Sequence, residues 1–455
     1  MSRGIITVYV VIFGGIFLVL LSGLFGFIIL QNRQSLQRLA FAQSLEIAEA
    51  GLNYARWHLA HAPSDFNFSG DYNYQDPEGE LMGQYSLEIT APSGCDSSVN
   101  IKSTGRTSRF PDVARKVQIK YAKMALAQYA FLSNSSVWFG SMESLRGPVH
   151  SNGGIRMDGT QNSLFTSAKE TYACGEGHGC SPPQEKPGIW GEGDGQARGL
   201  WEFPVSSIDF DSITQDLAAL KEDAQNFGIY ISQPVDHGYH LNFKTDGTVD
   251  VFRVKKLKQK VWGWDSEDWI FESNDIDEED FYANYPLPAG CAPIFIENNV
   301  WVNGQVKGRA TVVAANIPEM QNKLRKIIIS GNIDYADNDS VLGLIAQKDV
   351  LIPLYSPDNL SIKASMLAQK GHVMRYYYPE WDSEPYRTHN IKNSITTYGS
   401  IITNALWTFN WGDSDEVVSG YRITDMGYDP KLTYSPPPYF PTAGEYQLMS
   451  WEELQ

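Results

Sequence analysis

The chain has 455 residues and a formal net charge of −17. At 42% hydrophobic and 20% charged residues it can bury substantial cores, which excludes wholesale disorder. No extended basic face is apparent, so nucleic acid is not expected as a partner.

Length suggests about three domains as a starting point. Thirty-nine Gly, 23 Pro and 13% aromatic residues lean towards a turn-rich, β-rich body. The first 62 residues read differently. From Gly4 to Leu30 every side chain is uncharged and nearly all are apolar. As a helix this run spans about 40 Å, longer than the ~30 Å hydrocarbon core of a bilayer. It is too long for a signal-peptide core and no A-x-A site follows, so a membrane anchor is expected. The helix continues without proline to Pro63. Leu36, Ala40, Gln43, Ile47, Ala50, Tyr54 and His58 recur at spacings of three and four, which predicts one stripe facing a partner surface. Arg3 lies before the apolar run and Arg33 and Arg38 after it, so loop charge does not decide the orientation.

A polar linker follows (SDFNFSGDYNYQDPEGE). GQYSLEITAP, VNIKSTGRT and ARKVQIKYAK then read as three strands, with Tyr85, Leu87 and Ile89 on one face and Val117, Ile119 and Tyr121 on another. Residues 63–123 are therefore expected to form a small antiparallel sheet with the helix packed on it. From about 124 the texture shifts to short β-prone pieces separated by Asn, Ser and Gly, and it returns after Cys291. Strands too short to hold a core alone, recurring without clear hairpin turns, predict a β-solenoid over 124–169 and 291–430. Between them, 170–290 reads as an inserted α+β region. It holds a helix over DFDSITQDLAALKEDAQNFG, capped by Asp211 or Ser212 with Ile213, Leu217 and Leu220 buried, and a hairpin around Asp246-Gly247. Residues 431–455 read as a Pro-rich extended tail.

Four cysteines fit an oxidising exterior. Cys174 and Cys180 lie in CGEGHGC, where a local disulfide closes easily, and Cys95 and Cys291 are an even remainder. A zinc site on Cys174, His178 and Cys180 lacks a second ligand pair. Asp334, Asp337 and Asp339 lack the Gly and closing Glu of a calcium loop, so a solvated turn is expected. The acidic run from Asp265 to Asp280, interleaved with Trp262, Trp264, Trp269 and Phe271, reads as a packed flap. No G-x-S-x-G, H-E-x-x-H or P-loop occurs and the histidines are scattered. No enzyme activity, cofactor or metal is expected.

The segment SLEIAEAGLNYARWHLA after a membrane span resembles the N-terminal region of PilX-type proteins, pilin-like minor components of type IV pilus and type II secretion machines. IKSTGRT and ARKVQIKY are similar to the small sheet that follows that helix, and GPVHSNGGI and VWVNGQVKGRATVVAAN to long ectodomains attached to such helices. The resemblance implies a cleavage bond at Gly4–Ile5. It implies helix-to-helix docking through Glu49, Ile47 and Tyr54, with other pilin-like subunits and the assembly machinery as partners, although the Leu36–Ile47–Tyr54 stripe reads first as core against the chain's own sheet. The fifth residue past that bond is Tyr9, where the family carries a glutamate that pairs with a neighbouring subunit's amine. A chain lacking that carboxylate fits an accessory or tip component better than a repeating shaft subunit.

The expected fold is thus mainly β with a long N-terminal helix: a pilin-like α+β unit, then a β-solenoid ectodomain carrying an α+β insertion. The expected function is non-enzymatic, in pilus or pseudopilus assembly or at the tip, from a single-pass membrane location with the C-terminal mass outside the cytoplasm. The alternative is a static surface adhesin that binds glycans.

Overall fold

The computed structural model describes residues 3–92, 98–210, 213–232, 235, 237–287, 293–320, 323–412 and 416–454, with the side chains of 3–7, 213–216 and 443–445 also outside the description. The chain is mainly β with one long helix, and it divides into two compact units. The first comprises 1–92, 98–122 and 445–455; the second comprises 93–97 and 123–444.

In the first unit a single helix, α1, runs Arg3–His61 without a break. It stops where it must, because Pro63 cannot supply an amide and restricts the residue before it. The His61 ring accommodates the end by reaching the Trp57 carbonyl at 2.8 Å. The strands β1 (Gly70–Gln75), β2 (Leu81–Thr90), β3 (Ser98–Thr107) and β4 (Ala114–Ala125) form an antiparallel sheet. A last strand, Thr442–Leu454, joins its edge beside β4. Period-two alternation buries Tyr85 and Leu87 of β2, Val99 and Ile101 of β3, and Val117, Ile119 and Tyr121 of β4 in one core with α1. The two triplets expected on separate faces therefore share one face, with Ile89 half-buried.

Two segments differ from expectation. The polar linker contains β1, whose Tyr72 lies opposite Tyr85. The Pro-rich tail ends in a strand whose Tyr446 hydroxyl donates to the Pro63 carbonyl at 3.2 Å and whose Glu453 pairs with Arg115. In the linker Phe66, Phe68, Tyr72 and Tyr74 alternate with polar residues, a period-two signal masked by the Asn, Ser, Gly and Asp around them, and in the tail the aromatic residue packed on this core is Tyr446.

The second unit is built from short strands paired in parallel. One column of in-register partners runs Ile229, Ile294, Val312, Leu344, Met366, Ile401, Phe131, Val149, Phe165 and Trp201. A second runs Val300, Ile327, Val350, Val373 and Trp407. A third runs Ile333, Ile362, Thr397, Met426, Leu145 and Gln161. Most of these side chains are fully buried in one continuous core. Spatial order is not chain order: the chain enters at 131, runs to 202, re-enters at 229 at the other end, and stacks back until 401–403 pairs with 131–133.

That order redraws the expected insertion. Ile229–Ile231 and Gly238–Phe243, assigned to 170–290, pair in parallel with Ile294–Ile296 and with Asn299 onwards, so they belong to the stack. What projects is a set of hairpins. The turn at Asp246-Gly247 joins Gly238–Phe243 to Thr248–Leu257, with Gly247 at a φ of 83° that favours glycine. Thr248–Leu257 then pairs with Ile276–Pro286, setting the basic run against the acidic one. Lys255 meets Asp280 at 3.0 Å and Lys256 meets Asp277 and Glu278. The helix Ile213–Phe227 buries Leu217 and Leu220; Asp211 and Ser212 lie outside the described residues.

Candidate anchoring and docking helix

Two halves of α1 meet different surroundings. From Val8 to Leu30 the large apolar side chains other than Leu21 are exposed, Val19 at 73%. This helix is long and apolar enough, by length and composition, to cross a membrane. Gly4 and Ile5 are helical in backbone, and the side chains before Val8 lie outside the described residues. From Ala40 onwards one face is buried: Ala40, Ser44, Ile47, Ala48, Leu52, Ala55 and Leu59.

Small residues set the depth of that packing. A Cβ added to Gly51 would lie 2.4 Å from Ser103 Oγ, and one added to Gly105 would lie 2.2 Å from the Ser44 carbonyl oxygen and 2.4 Å from the Ala48 nitrogen. Helix and sheet approach closely only because both positions are glycine. Ser44 adds a polar tie, its hydroxyl 2.7 Å from the Ala40 carbonyl and 3.0 Å from that of Val113.

Tyr54 sits half-buried against Tyr72 at a ring-centroid distance of 4.9 Å, and Tyr72 stacks on Tyr85 at 5.4 Å. One turn on, His58 lies 4.1 Å from the Phe68 ring and bonds Asp65 at 3.0 Å. The Asn67 N–H, and after it His58, hold the Asp65 carboxyl below the usual carboxylate range. These groups fasten the helix end to the loop that leads into β1.

The expected docking residues therefore separate. Ile47 is 2% exposed and lies in the core with β2 and β3, so it is not free to meet another subunit. Tyr54 turns to its own sheet as well. Glu49 and Glu46 face outward. The stripe drawn from spacing alone lies about one residue off the true buried face, which includes Ala48, Leu52, Ala55 and Leu59. The outward face is what that spacing misses. It carries Leu39 and Trp57, each more than half exposed, while Phe41 lies on the sheet side with the Arg115 guanidinium 3.8 Å from its ring centroid. Apolar residues lie on both faces of this helix, so a three-four spacing does not say which face the sheet takes. Beside the helix, Glu46 lines a cleft of about 420 Å³ shared with Tyr74, Asp76 and Met82.

In the second unit Cys174 and Cys180 are joined by a disulfide at the tip of the hairpin formed by Thr171–Cys174 and Gln184–Pro187. Cys95 and Cys291 lie outside the described residues. Asp334 pairs with Lys363 at 2.7 Å, and Asp337 accepts from the Ser340 amide at 2.9 Å and its hydroxyl at 2.6 Å, closing a turn.

No protein-family model matches the chain, and no curated protein matches it. Among solved structures, the competence-associated pilin ComZ from Thermus thermophilus aligns over 91% of this chain and 97% of that one, with 12% identity and a TM-score of 0.29. At that score the likeness carries no argument about fold or function.

Proposed function

We propose that the chain is a membrane-anchored, pilin-like accessory protein that acts in the assembly or at the tip of a type IV pilus or related pseudopilus. One observation carries this reading: α1 is a single unbroken helix with an exposed apolar half and a half buried on a small antiparallel sheet. The apolar half would sit in the bilayer, or among the apolar helices of a filament, because exposing it to water is costly over its whole length. The outward face, with Leu39, Trp57 and Glu49, would meet neighbouring helices. The parallel columns of the second unit support reading it as a β-solenoid ectodomain. Its bulk, more than 300 residues, would obstruct stacking within a shaft and favours few copies at one end. The assembly role requires no chemistry from the chain.

The test is cross-linking in native membranes and sheared filaments. Glu49→Cys and Trp57→Cys variants are expected to form adducts with a pilin-like subunit, and the chain is expected in the filament fraction. A chain wholly absent from filaments whose cysteines capture no pilin-like protein would overturn the reading. Mass spectrometry of the mature N-terminus separately decides whether Gly4–Ile5 is cut.

A further inference from the structure

A cleft of about 470 Å³ opens in the second unit, within the size range of small-molecule sites. Four indoles line it, those of Trp138, Trp264, Trp407 and Trp411. The parallel stack brings them together. Trp407 ends the Val300–Val373 column, Trp138 comes from Val137–Phe139, and Trp264 is carried by the hairpin Val261–Trp264 and Trp269–Glu272.

Three of the rings are held in place. Trp138 Nε1 donates to Asp158 at 2.8 Å, and Arg156 covers the ring at 4.2 Å. Trp411 Nε1 donates to the Arg375 carbonyl at 2.9 Å. The Trp264 backbone exchanges two hydrogen bonds with Tyr377, at 2.9 and 3.0 Å. Trp407 differs. It is 4% exposed, and its Nε1–H has no hydrogen-bond partner among the described residues. Because that N–H is buried as well as unpartnered, Trp407 serves the cleft as packed wall and offers a ligand no donor.

Glu143 shares that wall at 7% exposure. Its carboxyl accepts the Gly140 N–H at 3.1 Å, and the Asn410 side chain is a further partner. Burial pushes it up to about 8, so at neutral pH it mostly keeps its proton and can donate to a hydroxyl. Beyond the cleft the aromatic surface continues: Trp411 to Tyr377 at 6.2 Å, Tyr377 to Trp269 at 6.0 Å, and Trp269 to Trp264 at 5.8 Å between centroids.

This combination selects a ligand class. Indole faces suit the C–H faces of pyranose rings, and amide, hydroxyl and carboxyl groups suit their hydroxyls. The described lining residues include no Lys or Arg, which disfavours an acidic sugar. A protonated Glu143 offers a cation little, and the other acid of the lining, Glu176, is solvent-exposed. A continuous row of rings fits a chain of sugars better than a single one. We propose that this cleft binds a neutral oligosaccharide, with its ring faces on Trp264 and Trp411 and its hydroxyls hydrogen-bonded to Glu143 and Asn410. The proposal stands independently of the pilus reading.

The test titrates the full chain, held in a detergent without a sugar headgroup, with cellotetraose, chitotetraose and maltotetraose. Tryptophan fluorescence and calorimetry are followed, with tetragalacturonate and choline as controls. Saturable binding of at least one neutral tetrasaccharide is expected. Trp411→Ala should weaken it roughly tenfold, while Trp411→Phe, which keeps a ring, should retain most of it. Met142→Arg, a change at a half-exposed lining residue with little core packing to lose, should also weaken it. Trp262→Ala, on the same hairpin but packed at a tilt on Phe271 with centroids 4.9 Å apart and outside the cleft, should leave it unchanged. The proposal is overturned if no neutral tetrasaccharide saturates, if tetragalacturonate or choline binds more tightly, or if Trp262→Ala is as damaging as Trp411→Ala.

Discussion

Ile401 lies in parallel register beside Phe131, and both are about 1% exposed. Through this pair a late strand of the second unit, Ile391–Thr403, closes on its first, so a segment entering the stack early waits for one made much later. Non-local pairing of this kind is slow to form, because loop closure precedes the contacts that reward it. Phe131→Ala is expected to cost ~3–5 kcal/mol, read by urea denaturation of the second unit's tryptophan signal. A cost near zero would mean that the junction contributes little to holding the stack together.

Gly105 tests the helix-to-sheet approach. Gly105→Ala places a methyl group against the backbone of Ser44 and Ala48, where no side-chain rotation can relieve it. A loss of ~1–3 kcal/mol is expected, read by thermal unfolding of the first unit. An unchanged melting temperature would show that α1 has room to shift.

Ile47 and Glu49 are two residues apart and should part company in a mutant series. Ile47→Ala removes buried core and should cost ~2–5 kcal/mol. Glu49→Ala, at an exposed position, should change stability by under ~0.5 kcal/mol while reducing cross-linking to a neighbouring helix. Equal stability losses at both positions would contradict this division between the helix's two faces.

The share of the second unit's stability that rests on Glu143 and Asp275 should fall as pH rises. Burial pushes Glu143 from 4.5 up to about 8 and Asp275 from 3.8 up to about 6. Each acid binds its proton more tightly folded than unfolded. Its contribution is therefore complete below the unfolded value and lost as pH climbs to the folded one. A tenfold difference in proton affinity between the two states is worth ~1.4 kcal/mol. Glu143→Gln should flatten the decline up to pH 8 and leave the Asp275 share, which ends near pH 6. Denaturant midpoints at pH 5, 6.5 and 8 measure this, and an identical decline in wild type and variant would refute it.

The sequence by itself determined the elements whose signal is local. The apolar run of α1 and the alternation of Tyr85, Leu87, Val117, Ile119 and Tyr121 specify a helix and strands from their immediate neighbours. The short Val- and Ile-rich pieces likewise announce strands with little room for a core of their own. The tertiary structure decided everything that depends on which surface meets which. It turned Ile47 inward and left Leu39 and Trp57 outside, because both faces of α1 are apolar and only the glycine-lined sheet selects between them. It also drew Tyr72 and Tyr446 into one sheet from segments that read as linker and tail. It paired Ile401 with Phe131, and it gathered Trp138, Trp264, Trp407 and Trp411 around Glu143 from three stretches of chain. Parallel stacking makes a strand's neighbours depend on register between distant segments, and no periodicity within a strand encodes that register.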